Sequence, residues 1–149
     1  MLPETDRTTL IARSIFDPGW YSDIKHTKDG VFLMAAGVLF YFDEAQVRPF
    51  FSSLADNLPG AEIVFDTLPK LAVIFMNWNV RKAGMKGATV KCALRGADEI
   101  TKWDNRITVI NQVPLFRNIP RDPLWGVGTR RFMDFSDRFK TLNIFHLRV

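Results

Sequence analysis

The chain has 149 residues, 47% of them hydrophobic, and a formal net charge of +4 from 20 basic and 16 acidic side chains. This length suits one domain with a sizeable core, is short for a two-domain enzyme, and together with the composition excludes a disordered chain. A single cysteine, Cys92, excludes an internal disulfide framework and a thiolate metal cluster, so we expect a reducing, cytoplasmic setting.

Two strands are predicted in the first quarter of the chain. Residues 9–16 begin with β-branched and apolar side chains and end at Asp17-Pro18-Gly19, a strong turn signal, so they are predicted to form a strand. Residues 31–36 are continuously apolar rather than alternating, which predicts a strand buried on both faces, as central parallel strands are.

A helix with clear boundaries follows. Asp43 is a candidate N-cap, and Gln46 three residues later completes a capping-box pattern. Pro49 predicts a bend or a tight first turn, and residues 57–60 carry the stop signal. The apolar stripe of this helix consists of Val47, Phe50, Phe51, Leu54 and Leu58. With a further strand at residues 61–66, the pattern predicts a right-handed βαβ unit and hence the α/β class.

The second half of the chain has weaker signals. Residues 70–82 favour a short helix over the sheet, with Leu71, Ile74, Phe75 and Trp78 on one side. Residues 89–93 favour a strand, residues 96–104 a brief helix, and residues 106–115 and 141–149 two late strands, the last one ending at the C-terminus. The proline-, arginine- and aromatic-rich segment between the late strands allows no prediction of conformation.

The motifs of common catalytic and metal sites are absent from the sequence. His26 and His146 have no cysteine or second histidine at metal-ligand spacing, so surface or structural roles are expected and no metal is predicted. The one G-x-G, at Gly126 and Gly128, does not follow a clear strand, which favours a flexible turn over a nucleotide loop. The basic residues are spread along the chain, so we expect neither nucleic acid nor membrane as a partner.

Strand ends give a better indication of a site, because ligands of open α/β sheets bind beyond the carboxyl ends of the strands. Asp17, the small residues 35–37 and Asp66 lie at three successive predicted strand ends. Small residues allow close approach, and an acidic side chain accepts hydrogen bonds from amino or hydroxyl groups. The alternative stays open that Asp17 only forms a turn before Pro18, and that Gly37 only starts one.

Several stretches together resemble the C-terminal part of a known family. They are "SIFDPGWYSDI", "FLMAAGVLFYFDEAQVRPFFSSLADNLPGAEIVFD", "GMKGA" with "WDNRITVI", and the ending "IFHLRV". In this order they resemble the leucine carboxyl methyltransferase superfamily, in particular its tetracenomycin-type polyketide O-methyltransferase branch. The resemblance covers almost the whole chain.

The resemblance implies a class I S-adenosylmethionine-dependent methyltransferase fold, a Rossmann-like sheet that ends in an antiparallel hairpin. Residues 9–16 would be the third strand of the family's sheet, residues 31–36 the fourth, residues 61–66 the fifth, and the two late strands the sixth and seventh. Asp17 would contact the adenine end of S-adenosylmethionine and Ala36 its methionine end, with Gly37 as a further cofactor-binding residue. Tyr41 would lie near the pocket for a small-molecule acceptor.

Two departures from the family affect this expectation. Ala36 stands where family members usually carry a glutamate, so one polar cofactor contact is missing. The family's first two strands, with the glycine-rich cofactor loop, have no counterpart in residues 1–149. We therefore expect a single partial methyltransferase domain that is not independently active as an O-methyltransferase.

The family's strand order, 3-2-1-4-5-7-6, suggests a structural consequence. Without strands one and two, residues 9–16 would either pair directly with residues 31–36 or complete a sheet with a second copy, because unpaired edges favour pairing with another chain. The alternative to an enzyme is thus a non-catalytic truncated paralogue, a folded or oligomeric interaction domain that forms a homodimer through its sheet edges.

Overall fold

The computed structural model describes residues 5, 8–25, 27–85, 87–94 and 96–149. A four-stranded open sheet organises these residues, with strands β1 (Phe32–Ala35), β2 (Glu62–Thr67), β3 (Thr108–Pro114) and β4 (Asn143–Arg148) in the order β1-β2-β4-β3. β1 and β2 are parallel, and β4 is antiparallel to both of its neighbours. The predicted mixed α/β class, the parallel βαβ pair and the late antiparallel strand pair are confirmed.

Helix α1 (Glu44–Asn57) connects the two parallel strands and matches its prediction closely. The Asp43 N–H donates to Gln46 Oε1 over 3.2 Å, which is one half of the predicted capping box. The helix continues past Pro49, which removes only its own hydrogen bond, and the chain leaves it through Gly60 at a φ of +84°.

The main core lies between α1 and one face of the sheet. All five residues of the predicted helix stripe are buried: Val47, Phe50, Phe51, Leu54 and Leu58. Phe65 of β2 is in ring contact with Phe51 of the helix at 5.4 Å and with Phe145 of β4 at 5.5 Å. Apolar residues of the segment before β3, including Leu94 and Ile100, complete this cluster.

The predicted strand at residues 9–16 is wrong. This segment makes local hydrogen bonds instead: the Phe16 N–H donates to Ser14 Oγ over 3.2 Å and the Asp17 N–H to the Ser14 carbonyl over 3.0 Å. A serine that satisfies nearby backbone groups offers the chain an alternative to a sheet ladder. The segment does not pair with β1, although Ile15 and Phe16 still pack against the main core.

The prediction that the strand at residues 31–36 is buried on both faces is also wrong. β1 is an edge strand of the sheet, and its side chains alternate between half-buried and exposed. Phe32 and Met34 are 62% and 76% exposed, because α1 packs on the opposite face, where Leu33 and Ile63 lie. Continuous apolar sequence therefore does not indicate two packed faces in this strand.

Helix α2 (Lys70–Lys82) forms where it was predicted. The four residues predicted to share one side are all exposed, so that side faces away from the core: Leu71, Ile74, Phe75 and Trp78. The inner side is formed by Ala72, Val73 and Met76, which pack against a second buried cluster of Phe40, Leu68 and Val90. Because both sides of α2 are apolar, periodicity alone cannot select the packed one.

The predicted strand at residues 89–93 does not form, because its backbone groups bond to isolated partners rather than to a neighbouring strand. The N–H groups of Lys91 and Cys92 both donate to the Phe40 carbonyl, over 2.8 and 3.1 Å. The brief helix is confirmed as α3 (Asp98–Thr101). No helix in the described part of the chain combines the length and the apolar character that crossing a bilayer requires.

The segment without a predicted conformation contains helix α4 (Val127–Phe139). Gly126 and Gly128, the G-x-G of the sequence, lie at its start. Before the helix, Arg121 binds Asp134 of α4 over 2.9 Å and Asp137 over 2.6 Å, and its guanidinium also donates to the Phe116 carbonyl. This arginine ties the connection after β3 to the helix.

Candidate functional site

The carboxyl ends of β1 and β2 meet at one edge of the sheet, because these strands are parallel. Beyond β1 the chain turns at residues 36–38 into a 3₁₀-helix, Leu39–Tyr41. Gly37 has a φ of +68°, in the left-handed region where a side chain would be strained. Space above its Cα is open, since no atom lies within 4 Å of a Cβ built there.

Asp66 connects the two strand ends. Its Oδ1 accepts a hydrogen bond from the Gly37 N–H over 2.6 Å. The second oxygen of this carboxylate retains lone pairs that can accept from a further donor. Asp66 was recognised as a strand-end residue in the sequence, but its contact with Gly37 has no local signal, because the two residues are 29 positions apart.

Three of the four sequence-predicted site residues lie at this edge. Ala36 and Gly37 are exposed in the turn after β1. Tyr41 ends the following 3₁₀-helix, is 37% exposed, and has its ring 4.7 Å from that of Phe40. The structure thus brings these residues together with Asp66 at one end of the sheet.

Asp17 has a different local role. Its Oδ1 accepts from the Gly19 N–H over 2.8 Å and so caps a 3₁₀-helix, Pro18–Asp23. Its other oxygen lies 3.5 Å from the Arg13 guanidinium, which also binds Asp23 over 3.1 Å. This geometry is that of a turn former, which was the alternative left open in the sequence.

A small apolar cleft lies between β1 and the segment that precedes Asp17. Its volume is about 270 Å³, and its lining includes Ile11, Trp20, Leu33, Ala35 and Val38. A second, open cleft contains Asp17, and Ile11, Arg13 and Ser14 line both clefts. The two clefts therefore adjoin, and none of the described hydrogen bonds or ion pairs joins Asp17 to Gly37.

The other chemically interesting side chains have structural partners. His146 on β4 binds Glu62 of β2 over 2.8 Å, and Arg148 binds the same carboxylate over 2.7 Å, which lowers the pKa of Glu62. Burial raises the pKa of the Cys92 thiol to about 11, so this cysteine is not an activated nucleophile. His26 lies outside the described residues. Within the described ranges, no three His, Cys, Asp or Glu side chains are grouped to hold a metal ion.

A further structural element supports the 3₁₀-helix at this edge. Asn77 of α2 makes two hydrogen bonds to the backbone of Val90, one from its Nδ2 to the carbonyl and one from the N–H to its Oδ1, both over 2.8 Å. The residues that follow Val90 hold the Phe40 carbonyl. Sequence reasoning missed this contact, for which the only signal is an amide among the apolar residues of α2.

Comparison of the chain with models of protein families and with curated proteins gives no match.

Proposed function

We propose that the chain takes part in S-adenosylmethionine-dependent methyl transfer to a hydroxyl or carboxyl oxygen of a small molecule, as a relative of the tetracenomycin-type O-methyltransferases. The strand order carries this proposal. With β1, β2, β3 and β4 as the family's fourth, fifth, sixth and seventh strands, the order β1-β2-β4-β3 reads 4-5-7-6. The antiparallel direction of β4 agrees with the hairpin that ends the family's sheet.

The edge of the sheet suits the methionine end of the cofactor in two respects. The open space at Gly37 allows close approach, and the Asp66 carboxylate supplies an acceptor for an amino group where Ala36 has none. Fewer acceptor atoms are available for the adenine end, because one carboxylate oxygen of Asp17 already accepts a hydrogen bond from the Gly19 N–H. The bound cofactor would supply an electrophilic methyl group.

The contribution of the chain's own residues to such a transfer would be positioning. Methyl transfer depends on the alignment of the acceptor oxygen with the methyl carbon. A protein that holds the two reactants in line lowers the entropic part of the reaction barrier. Gly37, fixed by Asp66, and Tyr41, one 3₁₀ turn further on, lie on a single short unit. That unit connects the proposed cofactor side of the edge with the proposed acceptor side.

Calorimetric titration with S-adenosylmethionine tests the proposal. We expect binding at micromolar strength, and we expect Asp66→Asn to weaken it about tenfold or more, because a hydrogen bond to a charged group is lost while the amide oxygen still accepts from Gly37. Asp17→Asn, which likewise keeps its bond to Gly19, is the matched variant for the adenine end. Absence of heat at millimolar cofactor would contradict cofactor binding by this chain.

A second candidate function, that of an oligomeric interaction domain, is favoured by the β1 edge. β1 has no charged residue and its pairing with β2 has an unbroken register, whereas the other edge strand, β3, has a register shift between Val109 and Asn111. Bulges and charges are the features that normally prevent edge pairing. We propose that two copies pair through β1.

Sedimentation equilibrium tests this pairing. A wild-type dimer is expected, together with a monomeric Met34→Lys variant, because a two-fold pairing of β1 strands brings the two lysines close together. Met34 is 76% exposed, so the substitution should not unfold the chain. Leu124→Lys, at a residue that is 92% exposed and outside the sheet, serves as the control and should remain dimeric. A monomeric wild type at high concentration would contradict the proposal.

A further inference from the structure

The outer surface of α2 is an apolar patch, whereas the inner side of the helix packs against the second buried cluster. Leu71, Ile74, Phe75 and Trp78 occupy positions i, i+3, i+4 and i+7 and are between 51% and 81% exposed. The rings of Phe75 and Trp78 are 6.1 Å apart. Contiguous exposed apolar patches of this kind mark interaction sites on soluble domains. We call these four residues the α2 patch.

The charged residues of helix α2 itself are all basic. Lys70 begins the helix, Arg81 and Lys82 end it, and the Lys82 ammonium lies 3.8 Å from the centroid of the Trp78 ring. Residues 67–97 contain six basic and no acidic residues, whereas the rest of the chain has a slight excess of acidic ones. The excess of positive charge in the chain is therefore concentrated in the segment that contains the patch.

These features favour one kind of partner over two others. Two facing copies of the patch would bring like charges together, which costs free energy without an acidic residue to offset it. A nucleic acid would leave the aliphatic Leu71 and Ile74 without a partner. An anionic bilayer surface suits both properties, since it accepts apolar side chains at its boundary and attracts basic ones. We propose that α2 binds the surface of an anionic membrane through this patch.

The helix is built to bind in the plane of the membrane while the domain stays folded. Its 13 residues give a length of about 20 Å, less than the roughly 30 Å of a bilayer core. The inner side remains attached through Ala72, Val73 and Met76 and through the two hydrogen bonds between Asn77 and Val90. The chain-wide charge predicted no membrane partner, and the local arrangement of α2 is the reason for departing from that expectation.

Vesicle flotation with the full chain tests the proposal. The chain is expected to float with vesicles of phosphatidylcholine and phosphatidylglycerol and to stay in solution with phosphatidylcholine alone. Arg81→Gln combined with Lys82→Gln should weaken binding at least about tenfold, because each basic side chain near an anionic surface contributes a factor of roughly five. Trp78→Gln should also weaken it, and raising the salt concentration should weaken wild-type binding.

Leu124→Gln is the matched control, since it removes an exposed apolar side chain outside both the α2 patch and β1, and its flotation should equal that of the wild type. Circular dichroism establishes that each variant is folded. Failure to float with anionic vesicles would overturn the proposal, as would flotation that Trp78→Gln leaves unchanged. Self-association that disappears in Trp78→Gln, without flotation, would assign the patch to a second copy instead.

Discussion

Replacing Phe51 by alanine should lower the free energy of unfolding by about 3–5 kcal/mol, the typical cost of deleting a buried aromatic ring. Phe51 is fully buried in α1. The centroid of its ring lies 5.4 Å from the ring centroid of Phe65 on β2 and 6.2 Å from that of Trp103, just before β3. The substitution would therefore open a cavity where the helix, the sheet and the segment before β3 meet. Urea unfolding followed by circular dichroism measures the loss.

Phe75→Ala is the matched control, because it removes the same ring from a residue that is 63% exposed. Its effect should stay within about 0.5 kcal/mol, as is usual for surface substitutions. Since small domains have a total stability of roughly 5–15 kcal/mol, the core variant should have a much lower urea midpoint than the control. Equal losses in the two variants would show that the cluster around Phe51 is not the main core.

The part of the fold that was predicted correctly is the part where local signals agree. For α1, the capping residues, the apolar stripe and the stop at residues 57–60 all indicate the same helix. The strand after it, β2, alternates between buried and half-buried side chains and differs from the prediction by one residue at each end. Where propensity, capping residues and apolar pattern agree, the secondary structure of a segment can be predicted without knowledge of its tertiary contacts.

The errors arise where tertiary contacts decide. Residues 9–16 have strand-like composition, but Ser14 satisfies nearby N–H groups locally and the segment forms no ladder with β1. The orientation of α2 depends on which of two apolar sides meets Phe40 and Leu68, and residues 89–93 form no ladder because Asn77 and Phe40 hold their backbone. The contacts of Asn77 with Val90 and of Phe40 with Lys91 join residues that are far apart in sequence, so no local pattern predicts them.

In the candidate site, too, the positions of residues along the chain were predicted correctly, whereas a contact between distant residues was not predicted. The sequence placed Gly37 and Asp66 at strand ends from the positions of turns and apolar runs, and parallel pairing brings those ends together. The hydrogen bond between them depends on the register of β1 and β2, which only the folded sheet defines. The roles of Ala36, Gly37, Tyr41 and Asp17 toward a cofactor or acceptor stay predictions for titration to decide.

Asn77→Ala should cost about 2–3 kcal/mol of stability and should loosen the candidate site as well. Both backbone groups of Val90, a residue that is 2% exposed, would lose their partners, and each unsatisfied buried group costs roughly 1–3 kcal/mol. The next residues, Lys91 and Cys92, donate to the Phe40 carbonyl. The loss should therefore reach the 3₁₀-helix Leu39–Tyr41, and hydrogen exchange of the Tyr41 and Phe42 amides should accelerate.

Asn79→Ala provides a control within the same helix. Asn79 is exposed, and its side chain donates to the Phe75 carbonyl one turn earlier in α2, so its removal should cost no more than about 0.5 kcal/mol. Because the two substitutions delete the same amide, any difference between them measures the contact with Val90 rather than helix propensity. If Asn77→Ala were as mild as the control, or left exchange at Tyr41 unchanged, the contact of α2 with Val90 would not be what holds the 3₁₀-helix beyond Gly37.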